Sequence, residues 1–149
     1  MTLEVQMEEP LATYAIDTND ARRSLTLHWR GFVSSDVYQE GMLEALKTSR
    51  QAGLLFWILD TKDMKVIRQA DQEWTVATWF PQFQLLGVQK FAIVVSDDIF
   101  NQMAISSMIA KIRPQIQAEV EYFQTMTEAV NWVQEMKGLS STSGLFSGK

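Results

Sequence analysis

Apolar and polar positions alternate in two stretches near the start of the chain. Residues 13–17 and 24–33 read as half-buried strands, and the Asn19-Asp20 region between them is rich in turn formers, so the pair predicts a hairpin. In the second strand Leu25, Leu27, Trp29 and Gly31 share one face, while Thr26, His28, Arg30 and Phe32 share the other, which points His28 away from the apolar side. The period then changes. Ser34-Ser35-Asp36 offers N-cap oxygens, and Tyr38, Met42, Ala45, Leu46 and Ser49 recur at steps of three and four until Gly53, predicting a helix that covers a sheet.

Leu54 to Leu59 shows no alternation, as expected of a strand buried on both faces in the centre of a parallel sheet, and Asp60-Thr61-Lys62-Asp63 is expected to end it as a loop. Helical spacing follows in Ile67, Ala70, Trp74, Ala77 and Thr78, with Pro81 expected to kink or restart the helix before Gly87. Lys90 to Ser96 is a second buried strand, closed by Ser96-Asp97-Asp98. Asp97 or Asp98 can cap a helix whose stripe is Phe100, Ala104, Ile105, Met108, Ile109 and Ile112. Glu119 to Gln124 predicts a short last strand. Thr125-Met126-Thr127-Glu128 fits a capping box for a final helix that buries Ala129, Val130, Val133 and Met136 and ends at Gly138. The order β-β-α-β-α-β-α-β-α defines an α/β fold with a mixed sheet of about five strands and flanking helices. One domain is expected over residues 1–138, followed by a flexible Ser- and Gly-rich tail over 139–149.

Composition narrows the chemistry. The 149 residues carry 13 Lys and Arg against 18 Asp and Glu, a net charge of −5, so a polyanion such as nucleic acid is a poor partner. The absence of Cys excludes disulfides, thiolate metal sites and cysteine nucleophiles, and a single His excludes multi-histidine metal sites. The longest apolar run, Leu54 to Leu59, is far short of the ~18 residues of a membrane span, and residues 1–10 lack the apolar core of a signal peptide, so the chain is expected to be cytoplasmic.

With these elements in order, the sequence resembles the SpoIIAA-like family, a branch of the STAS domains that shares its architecture with CRAL-TRIO lipid-binding domains. The residues that carry the resemblance are Trp29-Arg30-Gly31, Tyr38, Trp57-Ile58-Leu59-Asp60, Lys90-Phe91-Ala92-Ile93-Val94, Val120-Glu121-Tyr122-Phe123 and Ala129-Val130-Asn131-Trp132-Val133. The resemblance implies a mixed sheet flanked by helices. It also implies, in anti-sigma-factor antagonists of this type, a phosphorylated Ser or Thr at the start of the helix after the central strand. Here Met64 to Asp71 contains no hydroxyl, so that role transfers to no position; Thr61 nearby is explained by turn chemistry.

Two groups of residues are candidates for a site. Asp60, Thr61 and Asp63, with Ser96, Asp97 and Asp98, follow neighbouring strands at their carboxyl ends, where open α/β sheets bind ligands. Four carboxylates there could hold a hard cation or share a proton, although capping and turn formation account for them more simply, and neither a metal nor another cofactor is expected. The second group is Trp74, Trp79, Phe80, Phe83 and Leu86 around Pro81. On a regular helix Trp74 and Trp79 differ by about 140°, too far for one narrow stripe, which leaves apolar surface over for a protein partner, a second copy of the chain or a small apolar ligand. His28 with Arg22, Arg23 and Arg30 forms a basic cluster that a solvated strand face explains. The leading reading is a non-enzymatic, regulatory protein-interaction module. The alternatives are a carrier or sensor of a small apolar ligand and an enzyme that uses the strand-end carboxylates.

Overall fold

The computed structural model describes residues 13–135. The expected end of the last helix at Met136 to Gly138 and the tail 139–149 lie outside the described residues. Strands β1 (Tyr14–Asn19) and β2 (Ser24–Gly31) form the antiparallel hairpin, and β3 (Phe56–Met64), β4 (Lys90–Val94) and β5 (Glu119–Phe123) follow in parallel, in the spatial order β1-β2-β3-β4-β5. The hairpin turn holds Arg23 at φ 54°, while Asn19 Oδ1 accepts from the Arg22 N–H at 3.0 Å. The fold is the expected α/β mixed sheet with flanking helices.

Because each parallel strand lies one place further along the sheet, right-handed crossovers must put every connecting helix on the same face. Helix α1 (Ser35–Ala52) joins β2 to β3, a composite segment joins β3 to β4, and α4 (Ile99–Ile112) joins β4 to β5. Their apolar sides bury Leu25, Leu27, Trp29, Trp57, Phe91 and Ile93 of the sheet in one large core. The other face receives only α5 (Met126–Gln134) among the described residues, packed on Phe56, Ile58, Ala92 and Val94. Thr125 and Glu128 complete the expected capping box, and Lys90 Nζ lies over the Trp132 ring and donates to the Trp132 carbonyl at 2.8 Å. Among the described residues, no helix covers the outer face of β1 and β2.

The composite segment corrects the expected stripe. It comprises α2 (Gln69–Trp74), a π-helical turn (Thr75–Trp79) and α3 (Phe80–Gln84). Ala70, Ala77 and Thr78 face solvent, and the buried positions are Asp71, Thr75, Trp79, Phe80 and Phe83. The wider π turn rotates later side chains relative to an α-helix, and Pro81 sits at the start of α3, where its missing N–H costs little. Trp79 and Phe83, only 4% and 1% exposed, thereby enter the core and stack on each other against Trp57. The Trp79 indole donates to the Met42 carbonyl at 2.8 Å. Trp74 and Leu86 are partly buried against the same core. The expected surplus aromatic surface at Trp74, Trp79, Phe80, Phe83 and Leu86 is therefore absorbed by the chain itself.

A buried polar latch joins α1 to α2. Ser35 Oγ donates to Asp71 Oδ2 at 2.9 Å, and Thr75 Oγ1 donates to the Asp71 carbonyl at 2.7 Å. Since the Thr75 hydroxyl proton is used there, the Tyr38 hydroxyl donates to Thr75 Oγ1 across 2.7 Å. Burial holds the Tyr38 phenol above its ordinary ionisation range, so it remains a donor.

Tight packing of α1 on the hairpin makes a sharp stability prediction. A Cβ at Gly41 would meet the Trp29 ring at 2.6 Å and the Tyr14 ring at 3.1 Å. Trp29 is flanked by Tyr14 and Tyr38 at centroid distances of 5.5 and 5.4 Å, so a shift of its ring disturbs both contacts. Gly41→Ala is expected to destabilise the fold by about 1 to 3 kcal/mol, overriding the ~1 kcal/mol that Ala normally gains in a helix. Chemical denaturation checks this; a more stable Gly41→Ala variant contradicts the packing.

Candidate functional site

The parallel strands β2, β3 and β4 bring three loops to one edge of the sheet. These loops are tied together by the chain itself: Lys65 N–H donates to the Gly31 carbonyl at 3.0 Å, Asn101 Nδ2 to the Lys65 carbonyl at 2.8 Å, and Ser96 Oγ to the Met64 carbonyl at 2.7 Å. Whatever projects from residues 31–33, 65–68 and 96–103 is thus held in a fixed arrangement.

The six strand-end candidates are divided rather than gathered. Asp60 and Asp63 do not lie in a loop: β3 continues to Met64, past an irregularity in its pairing with β2 between His28 and Arg30. Two satisfied neighbours explain the longer strand, since β2 and the Thr61 bond to the Val94 carbonyl (2.8 Å) both support it beyond Leu59. Thr61 is buried on the helix side. Asp98 caps α4, accepting from the N–H groups of Phe100 (2.8 Å) and Asn101 (3.2 Å), and Asp97 pairs with Lys62 Nζ at 3.1 Å. Ser96 accepts from the Asp98 N–H at 2.9 Å. No group of three or more His, Cys, Asp or Glu among the described residues is placed to hold a metal ion.

Asp60 points to the open face, where it meets His28. Its Oδ2 lies 2.7 Å from His28 Nδ1, its Oδ1 accepts from the Lys62 N–H at 3.1 Å, and Asp17 Oδ2 lies 3.0 Å from His28 Nε2. A neutral imidazole donates from one nitrogen only, so the more buried, doubly anchored Asp60 is the partner that fixes the ring, and the exposed Asp17 closes the other end when the ring is doubly protonated. Two carboxylates thus flank His28 at the centre of the expected basic cluster, and Arg23 Nε is spent on the Gly53 carbonyl at 3.1 Å. Hairpin register carried a signal for this contact: pairing Ala15 with His28 puts Asp17 on the adjacent diagonal.

The largest departure from expectation lies at the start of α4. Counting towards the N-terminus from Ile112 by threes and fours, through Ile109, Met108, Ile105 and Ala104, reaches both Asn101 and Phe100, and it is Asn101 that the structure buries completely. Phe100 is displaced from the expected stripe to the surface. Ile99, Phe100 and Met103 are 58%, 63% and 62% exposed, and Phe32 and Val66 are exposed on the loops after β2 and β3, of which the β3 loop is hydrogen-bonded to α4 and the β2 loop to the β3 loop. Large apolar side chains concentrated in this way mark recognition surfaces.

Two cavities bear on ligand binding. The space enclosed among Trp57, Trp79, Met64 and Ile105 measures about 50 Å³, well under the ~300 Å³ of an ordinary ligand pocket. Between α4 and the ends of β4 and β5 lies an open pocket of about 250 Å³ lined by Thr61, Ser96, Asn101, Gln102, Ser106 and Tyr122, among others.

No protein-family model matches the sequence, and no curated protein matches it. Among solved structures, the chain is similar to the crystal structure of an uncharacterised protein of the DUF3478 family with a SpoIIAA-like fold from Shewanella loihica PV-4, with a TM-score of 0.57 and 12% identity over 80% of this chain and 91% of that one. The fold is SpoIIAA-like, as the resemblance in the sequence implied. No helix among the described residues is long and apolar enough to cross a membrane.

The His28 contact is open to direct test because the chain has one His. Its Nδ1–H is expected as a single downfield imidazole proton signal, lost in Asp60→Asn and retained in Asp17→Asn. A signal indifferent to Asp60→Asn contradicts the assigned anchor.

Proposed function

We propose that this chain is a non-enzymatic, regulatory protein-interaction module whose partner docks on the carboxyl edge of the sheet. The observation that carries the reading is the exposure of Ile99, Phe100 and Met103 on the first two turns of α4. Met103 lies three and four residues beyond Phe100 and Ile99, which makes the three side chains neighbours on the helix surface. They stand on a segment capped by Asp98 and tethered through Asn101, so the apolar surface is rigid before any partner arrives. Ordering such a surface on binding costs little, which favours affinity. Phe32 and Val66 extend it across the neighbouring loops.

The missing hydroxyl in Met64 to Asp71 supports a module that works without the serine switch of the antagonists it resembles. A second copy of the chain is the simplest partner, since a two-fold contact would set the same aromatic patch against itself.

Sedimentation of the full chain across a concentration series tests this. A dimer that Phe100→Ser and Met103→Ser each weaken by about tenfold or more is the expected result for self-association, in line with the ~2 kcal/mol of an interface hot spot. If the wild type remains monomeric, a photo-crosslinking residue at position 100 is expected to capture one specific protein in intact cells, and a control at Glu121 is not. A monomer that crosslinks to nothing from position 100 overturns the reading.

A further inference from the structure

The sheet and its crossover helices close on each other around a cavity of about 50 Å³ within the core. Protein interiors pack to the density of organic crystals and leave few spaces larger than a water molecule. This space is several times the ~10 to 15 Å³ that one water requires. Methionine ordinarily removes such gaps, because its flexible thioether settles into irregular space, yet Met42, Met64 and Met108 all stand in this wall and the space persists.

The chemistry of the wall selects the guest. Its hydroxyl protons are spent inside the protein: Tyr38 donates to Thr75, Thr61 to the Val94 carbonyl and Thr75 to the Asp71 carbonyl. The indoles of Trp57 and Trp79 donate to Ser49 and to the Met42 carbonyl, which leaves Trp29 as the remaining side-chain donor of the lining. No charged side chain lines the cavity. A buried water is held by two to four polar partners, so a wall of this kind favours an apolar molecule over water. One side of it is the π-helical turn, where Thr75, Val76 and Trp79 face the space. Val76 is half-buried and therefore reaches from the cavity towards the outer surface. Single π turns within α-helices recur at functional sites, and opening a short segment costs less than unfolding the domain, so this turn is the natural entrance.

From these observations we infer that the cavity is a binding site for a small hydrocarbon of about two or three carbon atoms, admitted past Val76 and held by dispersion contacts. The volume sets the limit: an apolar cavity of ~150 Å³ holds the six carbons of benzene, and this one has about a third of that space. The rings of Trp57, Trp79 and Phe91 and the methionine sulfurs give the guest a polarisable surround. Ile105 and Met108 form part of the wall from the inner side of α4, whereas Phe100 and Met103 stand on its outer side, so the site is independent of the docking surface.

Ethane and methanol make a matched pair for the test, since they are close in size and differ in the hydroxyl that the wall would leave unsatisfied. In the full chain with ¹³C-labelled Ile, Val and Met methyl groups, ethane under pressure is expected to shift the signals of Val76, Ile105 and Met108 saturably and to leave those of the exposed Ile99 and Met103 in place. Methanol is expected to bind about tenfold or more weakly, as burying an unpaired hydroxyl requires. Benzene, which exceeds the space, is expected to cause no saturable shift. Val76→Phe, which directs a ring into the cavity from a half-buried position, is expected to abolish the ethane response. Should that variant fail to fold, Val76→Leu is expected to weaken ethane binding several-fold. Shifts that rise without saturating, shifts confined to other regions, methanol or benzene bound as tightly as ethane, or unchanged ethane binding in a folded Val76 variant overturns the proposal.

Discussion

Handedness is the constraint on which the arrangement depends. Four strands run parallel and in sequential order, from β2 to β5, so right-handed crossovers have one face available to them. All the crossover helices crowd onto that face, and the chain meets the demand with large rings: Trp29, Trp57, Trp79, Phe83 and Phe91 fill the space between sheet and helices. On the opposite face, where α5 is the one helix among the described residues, stand the polar side chains of β1 and β2, including His28 and Asp17. The same sequential order places the carboxyl ends of β2, β3 and β4 side by side, so the loops that carry Phe32, Val66 and Phe100 share one edge.

Within the core, the π-helical turn reconciles local pattern with global packing. An α-helix through residues 69–84 would turn Trp74 and Trp79 to different sides. Widening one turn directs Trp79, Phe80 and Phe83 to a single cluster, at the cost of less regular hydrogen bonding. Pro81 already removes one donor from that stretch, which makes the irregularity cheaper there than elsewhere.

Much of this was legible in the sequence. The alternation in β2, the unbroken apolar runs of β3 and β4, the Ser34 and Asp98 caps and the Thr125 capping box all appear where local physics requires them. What the pattern did not reveal has identifiable causes. The extension of β3 through Asp60 to Met64 depends on pairing with β2 and on the Thr61 bond to β4, contacts remote in sequence. The aromatic surplus around Pro81 vanishes because a π turn breaks the 100° period that implies it. At α4, apolar character is a misleading guide to burial, pointing Phe100 into the core where Asn101 belongs. That inversion, an aromatic outside and an amide inside on consecutive residues, is the point at which the sequence departs from what the fold alone needs, and departures of this kind are expected at functional positions.

The central claim is that the start of α4 is shaped for recognition and not for folding. Chemical denaturation of Ile99→Ser, Phe100→Ser and Met103→Ser combined in one chain tests it most directly. A surface that takes no part in the core predicts a stability within about 0.5 kcal/mol of the wild type at each position. A cooperative loss of several kcal/mol, of the size expected when buried side chains are truncated, contradicts the account.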